Sequence, residues 1–391
     1  MATYIEVPFD LEGDRVYPDG LMRVKRGSRE WTALVEVKTG KNSLETTQLE
    51  NYLDVARANN FDALITISNE ISPVPGQHPT SVDKRKLRKV EIHHGSWSYV
   101  LATAIVQKEH RGVSDPEQAW ILGELIRYLE HDRSGALELD DMGPSWIAVR
   151  DAVSAGTLRS SDKTAVEIVS RFDALLRYAS LRLGQRLGTD VTPLLTRQEV
   201  ANPTSRADSL LSSLVETGEL TGTIRIPNAV APVHITADLR ANRVTCFVDV
   251  AAPQQGRQTT RVNWIVRQLK DARPDVRVES FVARARGAGS VELLADVRED
   301  PKLWAPDAER DIRSFRIALS VVAGSKRGRG RGAFIDSVLD TLDTFYGEVV
   351  QHIKPWAAAP PKLREADRGE HVAAELVSTD LSSQDGPETV G

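Results

Sequence analysis

The apolar residues of this chain switch between the strand period and the helix period, and the order of those switches restricts its fold more than any single motif. From Tyr4 to about Lys38 they alternate as in strands, and from about Leu49 to Ala56 they recur at helical spacing. "DALITIS" then reads as a short, nearly all-apolar strand of the kind buried on both faces. A helical stretch runs from Trp146 to about Leu220, and around Thr223 the alternation returns. With 391 residues, 41% of them apolar and 27% charged, the chain has enough sequence for two or three cores at ~150 residues per domain. The expected fold class is mixed α+β: an α/β core in 1–110, a helical connector in 111–220, an arginine-rich α+β domain in 221–356 and an acidic, disordered tail in 357–391.

In the first section, "GLMRVKR" and "WTALVEVK" are joined by "GSRE", whose Gly27-Ser28 pair is turn chemistry, so these strands form a hairpin. "TYIEVPF" precedes them as a weakly alternating strand. In the following helix Leu49, Tyr52, Leu53 and Ala56 share a face, with Ser43 as the cap and Glu45 in the first turn. A Pro-rich loop and a strand at "VEIHH" come next. "SDPEQAWILGELIRYLEH" then opens on Ser114 or Asp115 as cap, with Pro116 at the first helical position and an apolar stripe from Ala119 through Ile126. After Thr223 strands are expected at "TIRIP", "VHITADL", "RVTCFVDVA", "VRVESFVARA" and "SVELLADV", with one helix at "TTRVNWIVRQLKDA" and two more closing the domain.

Cys246 is the one cysteine, so no intrachain disulfide forms and a reducing, cytoplasmic setting is expected. The opening "MATYIEVPFD" lacks the basic and apolar regions of a signal peptide, and no apolar run approaches the ~18 residues that span a bilayer. Walker-type glycine loops, HExxH, CxxC and GxSxG are all missing, which leaves nucleotide hydrolysis, zinc chemistry and serine esterase chemistry without sequence support.

The net charge of -5 hides an uneven distribution. Between Gly222 and Gly332 there are 20 basic side chains, 17 of them arginine, against 12 acidic ones, whereas Ala333 to Gly391 carries 4 basic and 11 acidic. Arginine's planar fork matches phosphate oxygens, so this excess points toward nucleic acid, with a salt-bridged surface as the plain alternative. Two basic clusters stand out: Lys84, Arg85, Lys86, Arg88 and Lys89, and the glycine-interleaved Lys326, Arg327, Arg329 and Arg331 of "SKRGRGRG". His93 and His94 read as ordinary surface residues at a strand end.

The chemistry is concentrated in the first hairpin. Glu36 and Lys38 are two apart on one strand and therefore share a face, opposite Val35 and Val37, and Asp19 at the start of the preceding strand can lie across from them. Two converging carboxylates repel unless a cation relieves them, and hard oxygen ligands suit Mg²⁺ or Mn²⁺. An adjacent ammonium would orient a water or stabilise charge on a phosphate.

This arrangement, Pro18-Asp19 followed by Glu36-Val37-Lys38, resembles the PD-(D/E)xK superfamily of restriction-endonuclease-like nucleases. Gln48 and Tyr52, four apart on one helical face, resemble the QxxxY element of its RecB-like branch. The resemblance covers residues 4 to about 110. It implies metal binding by Asp19, Glu36 and the Val37 carbonyl, and catalysis by Lys38 with Gln48 and Tyr52 beside the site. It also implies DNA as substrate, with RNA as the alternative, and a context of repair, restriction or defence; relatives commonly act as dimers, and the C-terminal domain is a candidate surface for a protein partner. Members usually contribute a further acid from a preceding helix, a place that Glu6, Asp10, Glu12 or Asp14 could fill, the alternative being a natural protein longer than this chain. Two other readings compete: a catalytically inactive nucleic-acid-binding protein of the same fold, and an interaction or assembly protein of a stress-response or defence system.

Overall fold

The computed structural model describes residues 1–72, 77–136, 138–284, 289–305 and 311–357. Residues 73–76 of the Pro-rich loop and 358–391 of the expected acidic tail lie outside the described residues.

β1 (Ala2–Ile5) is followed by a small hairpin of β2 (Phe9–Leu11) and β3 (Asp14–Val16). Its two-residue turn holds Glu12 at φ 52° and Gly13 at φ 97°, the paired left-handed backbone of a tight hairpin turn. The single weak strand expected here does not anticipate that hairpin. β4 (Gly20–Arg26) and β5 (Arg29–Val37) are the expected antiparallel pair, closing on Gly27 and Ser28. After α1 (Thr46–Ala58), β6 (Ala63–Ser68) pairs parallel with β5, and β7 (Glu91–Ser96) parallel with β6. The sheet order is β1-β4-β5-β6-β7.

α1 packs Leu49, Tyr52 and Leu53 into one apolar cluster with Leu34, Leu64 and Val90. Each fully buried leucine contributes about 1.5–3 kcal/mol relative to exposure. The helix starts later than its sequence suggested. Glu45 occupies the cap position without a side-chain cap bond, and the Ser43 hydroxyl donates to Glu45 Oε1 at 3.2 Å.

α2 (Trp97–Ile105) and α3 (Pro116–Leu129) follow, and Asp115 caps α3 by accepting from the Glu117 and Gln118 amides. The expected stripe of α3 is not a buried one: Trp120, Ile121 and Leu125 are exposed, and burial falls on Ile126 and Leu129. α4 (Trp146–Ser154) and α5 (Lys163–Leu187) come next. The segment read as helical to Leu220 is then interrupted by β8 (Thr192–Pro193) before α6 (Arg197–Ala201), α7 (Pro203–Glu216) and β9 (Glu219–Arg225).

β10 (Val233–Asp238), β11 (Arg243–Ala251), α8 (Gln258–Gln268), β12 (Arg277–Val282), β13 (Ser290–Leu293), α9 (Leu294–Glu299), β14 (Ile312–Val322) and α10 (Phe334–Glu348) complete the described chain. The sheet is antiparallel throughout, in the order β13-β12-β14-β11-β10-β9-β8. Two expectations fail here. "SVELLADV" is a strand only to Leu293 and then turns into α9, and a central strand, β14, stands where one of two closing helices was expected. Phe315, Ile317 and Leu319 alternate with half-buried neighbours, a two-residue period that marks the strand.

The stretch expected as a connector shares its core with this sheet: Ile168, Phe172, Leu175 and Leu176 of α5 belong to the same apolar cluster as Ile235, Val248, Ile317 and Phe345. Gly222 on β9 permits the contact, since a Cβ there would meet Leu176 Cδ1 at 2.1 Å. Met1–Trp356 accordingly form one compact unit.

Candidate active site

Register brings the proposed carboxylates together. Gly20 pairs with Val35 across the hairpin, so the next pair in the same antiparallel register is Asp19 with Glu36. Asp19 Oδ2 accepts the Val37 amide at 2.6 Å, which fixes its carboxylate at the strand end. A residue in a strand turns its N–H and C=O to the same side. The Val37 carbonyl therefore leaves the strand on the side of Asp19.

Glu36 is 2% exposed. Its Oε1 lies 2.6 Å from the Lys38 ammonium, and its Oε2 is buried with no hydrogen-bond partner among the described residues. Burial pushes the Glu36 carboxyl above its usual range, and the charge of Asp19 pushes it further; the Lys38 ammonium opposes both. Lys38 is held through its backbone, with its amide donating to the Ile67 carbonyl at 2.8 Å and its carbonyl accepting the Trp97 indole N–H at 2.9 Å.

α1 supplies the remaining pair. Gln48 Nε2 donates to the Tyr52 hydroxyl at 3.0 Å, and that hydroxyl donates to the Tyr17 carbonyl at 3.1 Å, one peptide before Pro18-Asp19. Burial raises the Tyr52 hydroxyl, with further upward contributions from Glu36 and Asp19, so it stays a donor at neutral pH.

The parallel strands extend the row. Glu36 lies beside Thr66 on β6, and Thr66 beside His94 on β7. Thr66 Oγ1 is 2.8 Å from His78 Nε2 and 2.9 Å from His94 Nδ1, while His94 Nε2 faces the Glu70 carbonyl at 2.8 Å. A neutral His94 meets both neighbours only if Nε2–H donates to Glu70 and Nδ1 accepts the Thr66 hydroxyl. His78 Nδ1 lies 3.0 Å from the Thr80 amide and 2.9 Å from the Thr80 carbonyl, and the Thr66 hydroxyl also reaches the His93 carbonyl at 3.2 Å. Burial lowers both histidines, which fits neutral rings. His94 is thus not the surface residue its sequence position suggests; the missing information is register, which puts His94 and Thr66 side by side across 28 residues of sequence. His93, its neighbour, is exposed and faces Glu91 as expected.

The donor set fits a hard divalent cation: two carboxylates, one with an orphaned oxygen, and a strand-end carbonyl. Mg²⁺ is commonly held by one or two carboxylates with waters and substrate phosphates completing its shell. Among the described residues, no group of three or more His, Cys, Asp or Glu side chains gathers as a metal cage. Glu6 reaches the site through its backbone, its amide donating to the Asp19 carbonyl at 3.3 Å.

The basic clusters behave differently from each other. Arg85 forks onto Asp83, and Lys86 pairs with Asp54, whereas Lys84, Arg88 and Lys89 are exposed and make no ion pair among the described residues. In the glycine-rich loop Arg327 pairs with Asp141 at 3.2 Å, Arg329 bridges Asp336 and Glu138, and Lys326 Nζ donates to the Arg331 carbonyl. This loop is a strapped connection between β14 and α10, with its Ser325 carbonyl accepting from Trp146 and Arg150. Cys246 and Trp304 are core residues.

No family model, no curated protein and no solved structure matches the chain. Among the described residues, no helix is long and apolar enough to cross a membrane.

Proposed function

We propose that this chain is a metal-dependent nuclease of the PD-(D/E)xK kind that hydrolyses phosphodiester bonds, with DNA as its substrate. One observation carries the reading: among the described residues a buried carboxylate, Glu36, keeps one oxygen unpartnered beside a second carboxylate, Asp19, while Lys38 occupies its other oxygen. A buried unpartnered acceptor costs about 1–3 kcal/mol, and such costs concentrate where function needs them. The mixed sheet supports the reading as well. Its antiparallel hairpin, crossover helix and following parallel strand put motif and helix on one face.

In this reading Asp19, Glu36 and the Val37 carbonyl hold Mg²⁺ or Mn²⁺. When bound, the ion supplies Lewis-acid charge and lowers the pKa of a coordinated water. The Lys38 ammonium donates to Glu36 and, once that carboxylate is engaged elsewhere, would be presented to the water or to the phosphoryl oxygens. Gln48 and Tyr52 position the Pro18-Asp19 peptide through the Tyr17 carbonyl. Thr66 and His94 wall the side toward β7. Lys84, Arg88, Lys89 and Arg331, all exposed and without an ion pair among the described residues, are cations available to backbone phosphates. A cytoplasmic role in repair, restriction or defence, with a second copy or a protein partner at the C-terminal sheet, belongs to the same proposal.

Incubation of purified protein with linear and supercoiled DNA in Mg²⁺ or Mn²⁺ tests it. Cleavage is expected, with loss in Asp19→Asn and Lys38→Ala. DNA binding without cleavage by the wild-type chain would transfer the proposal to a catalytically inactive binding protein.

A further inference from the structure

Away from the carboxylates, Arg177 on α5 buries a guanidinium nitrogen, Nη1, that has no hydrogen-bond partner among the described residues. Ser72 Oγ, four residues past β6, is buried and unpartnered in the same way. Both residues line one cleft of ≈270 Å³, together with Ile71, Gln77, His94, Ser96 and Tyr99. Burial holds Arg177 below its usual range, and the charges near enough to oppose this are those of Tyr99 and Asp190. Asp190 lines a neighbouring cleft that also touches Arg177, and it lies 3.7 Å from Arg111.

The surroundings select a ligand of one sign. Ser96 and Tyr99 belong to the first turn of α2, where the Ser96 hydroxyl accepts the Tyr99 amide at 3.1 Å. A helix N-terminus carries partial positive charge and backbone donors. His94 is committed at both ring nitrogens and does not compete for the ligand. A desolvated cation, a free hydroxyl and a helix N-terminus converging on one cleft favour an oxyanion. The cleft is slightly smaller than the ~300–1,000 Å³ of small-molecule pockets, a size for one phosphate group with its waters and not for a whole nucleotide.

We propose that this cleft is a phosphate-binding site with the Arg177 guanidinium as its cation and Ser72 beside it. Its place in the sheet relates it to the carboxylates. Glu36, Thr66 and His94 sit on successive strands, which puts the cleft two strand spacings, about 10 Å, from the candidate metal. A phosphate held here lies close enough to the one cut to belong to the same nucleic-acid substrate. This link rests on the nuclease reading; phosphate binding itself does not.

The test uses the full chain in chelator-containing buffer, with inorganic phosphate and a short DNA oligonucleotide as separate probes, read by thermal shift and calorimetry. Phosphate should raise the wild-type Tm by about 2 °C or more, and Arg177→Met should abolish that rise. Without ligand, Arg177→Met should be at least as stable as wild type, because an unpaired buried charge is gone. Arg177→Lys, which keeps the charge and loses the fork, should retain part of the rise. Lys38→Ala should retain all of it, whatever the fate of cleavage. A fall in oligonucleotide affinity of about tenfold in Arg177→Met identifies the source as nucleic-acid backbone; loss of the response to inorganic phosphate alone identifies free phosphate. The proposal is overturned if neither probe binds the wild type, if the phosphate response survives in Arg177→Met, or if Lys38→Ala removes it.

Discussion

Exchange of Glu36 for Gln keeps the shape of the side chain and removes its charge. In the wild-type protein that charge is buried, one oxygen lacks a partner, and Asp19 repels it. Relief of an unpartnered buried acceptor is worth about 1–3 kcal/mol, and weakening of the Lys38 contact from a charged to a neutral bond costs about 1 kcal/mol. A Gln amide can also donate toward Asp19 while its oxygen still accepts from Lys38. The net expectation is a gain of about 1 kcal/mol, or about 1–2 °C in Tm for a cooperative unit of this size. The sign with pH follows from the raised carboxyl of Glu36. The folded state holds this proton more tightly than the unfolded chain does, so wild-type stability falls as pH rises from the ordinary carboxyl range through the raised value. Glu36→Gln should therefore gain most at pH 8 and little at pH 4, where Glu36 is protonated in both states. Metal reverses the order: at a hundredfold excess over Kd the wild type gains about 2.7 kcal/mol, and the variant does not. Urea and thermal unfolding at pH 4, 6 and 8, with chelator or with Mn²⁺, measure all of this. A variant less stable than wild type at pH 8 in chelator, or a gain that ignores pH, would show that the Glu36 charge is not under the strain inferred for it.

Tyr52→Phe removes the hydroxyl that links Gln48 to the Tyr17 carbonyl. It should cost about 1 kcal/mol of stability and slow DNA cleavage about tenfold, and unchanged cleavage would contradict the positioning role. Gly222→Ala drives a Cβ to 2.1 Å from Leu176 Cδ1; denaturant unfolding should show a loss of about 1–3 kcal/mol, partly recovered by Leu176→Ala. Alanine at Lys84, Arg88 and Lys89 should flatten the salt dependence of DNA binding by about 0.9 for each phosphate no longer neutralised. The same change at the ion-paired Arg327 and Arg329 should leave that slope nearly unaltered.

Much of the site was legible because its residues violate the local rule for a strand. Glu36 and Lys38 on one face of an otherwise apolar stretch needed an explanation, and the turn at Gly27-Ser28 placed Asp19 opposite them. The burial of Tyr52 followed from spacing alone. Thr66, His78 and His94 were not legible in the same way, since their union depends on the parallel register of β6 and β7, which no local pattern encodes. Ser72 and Arg177 lie farther apart still and meet only through the packing of α5. In the C-terminal part, the alternation of Phe315, Ile317 and Leu319 was present in the sequence, but polar and charged neighbours such as Arg313, Ser314 and Arg316 obscured it. The ion pairs of the basic loop at 325–332 were illegible for a different reason: composition reports charge, and the partners Asp141, Glu138 and Asp336 are set by the fold.

Mn²⁺ binding to the full chain, followed by calorimetry and by electron paramagnetic resonance of the free ion, tests whether Asp19 and Glu36 hold one divalent cation between them. One site per chain is expected, tightening as pH rises through the titration of Glu36 and disappearing in both Asp19→Asn and Glu36→Gln. A wild-type chain that binds no Mn²⁺ at neutral pH, or variants that bind it as well as the wild type does, would contradict a shared cation.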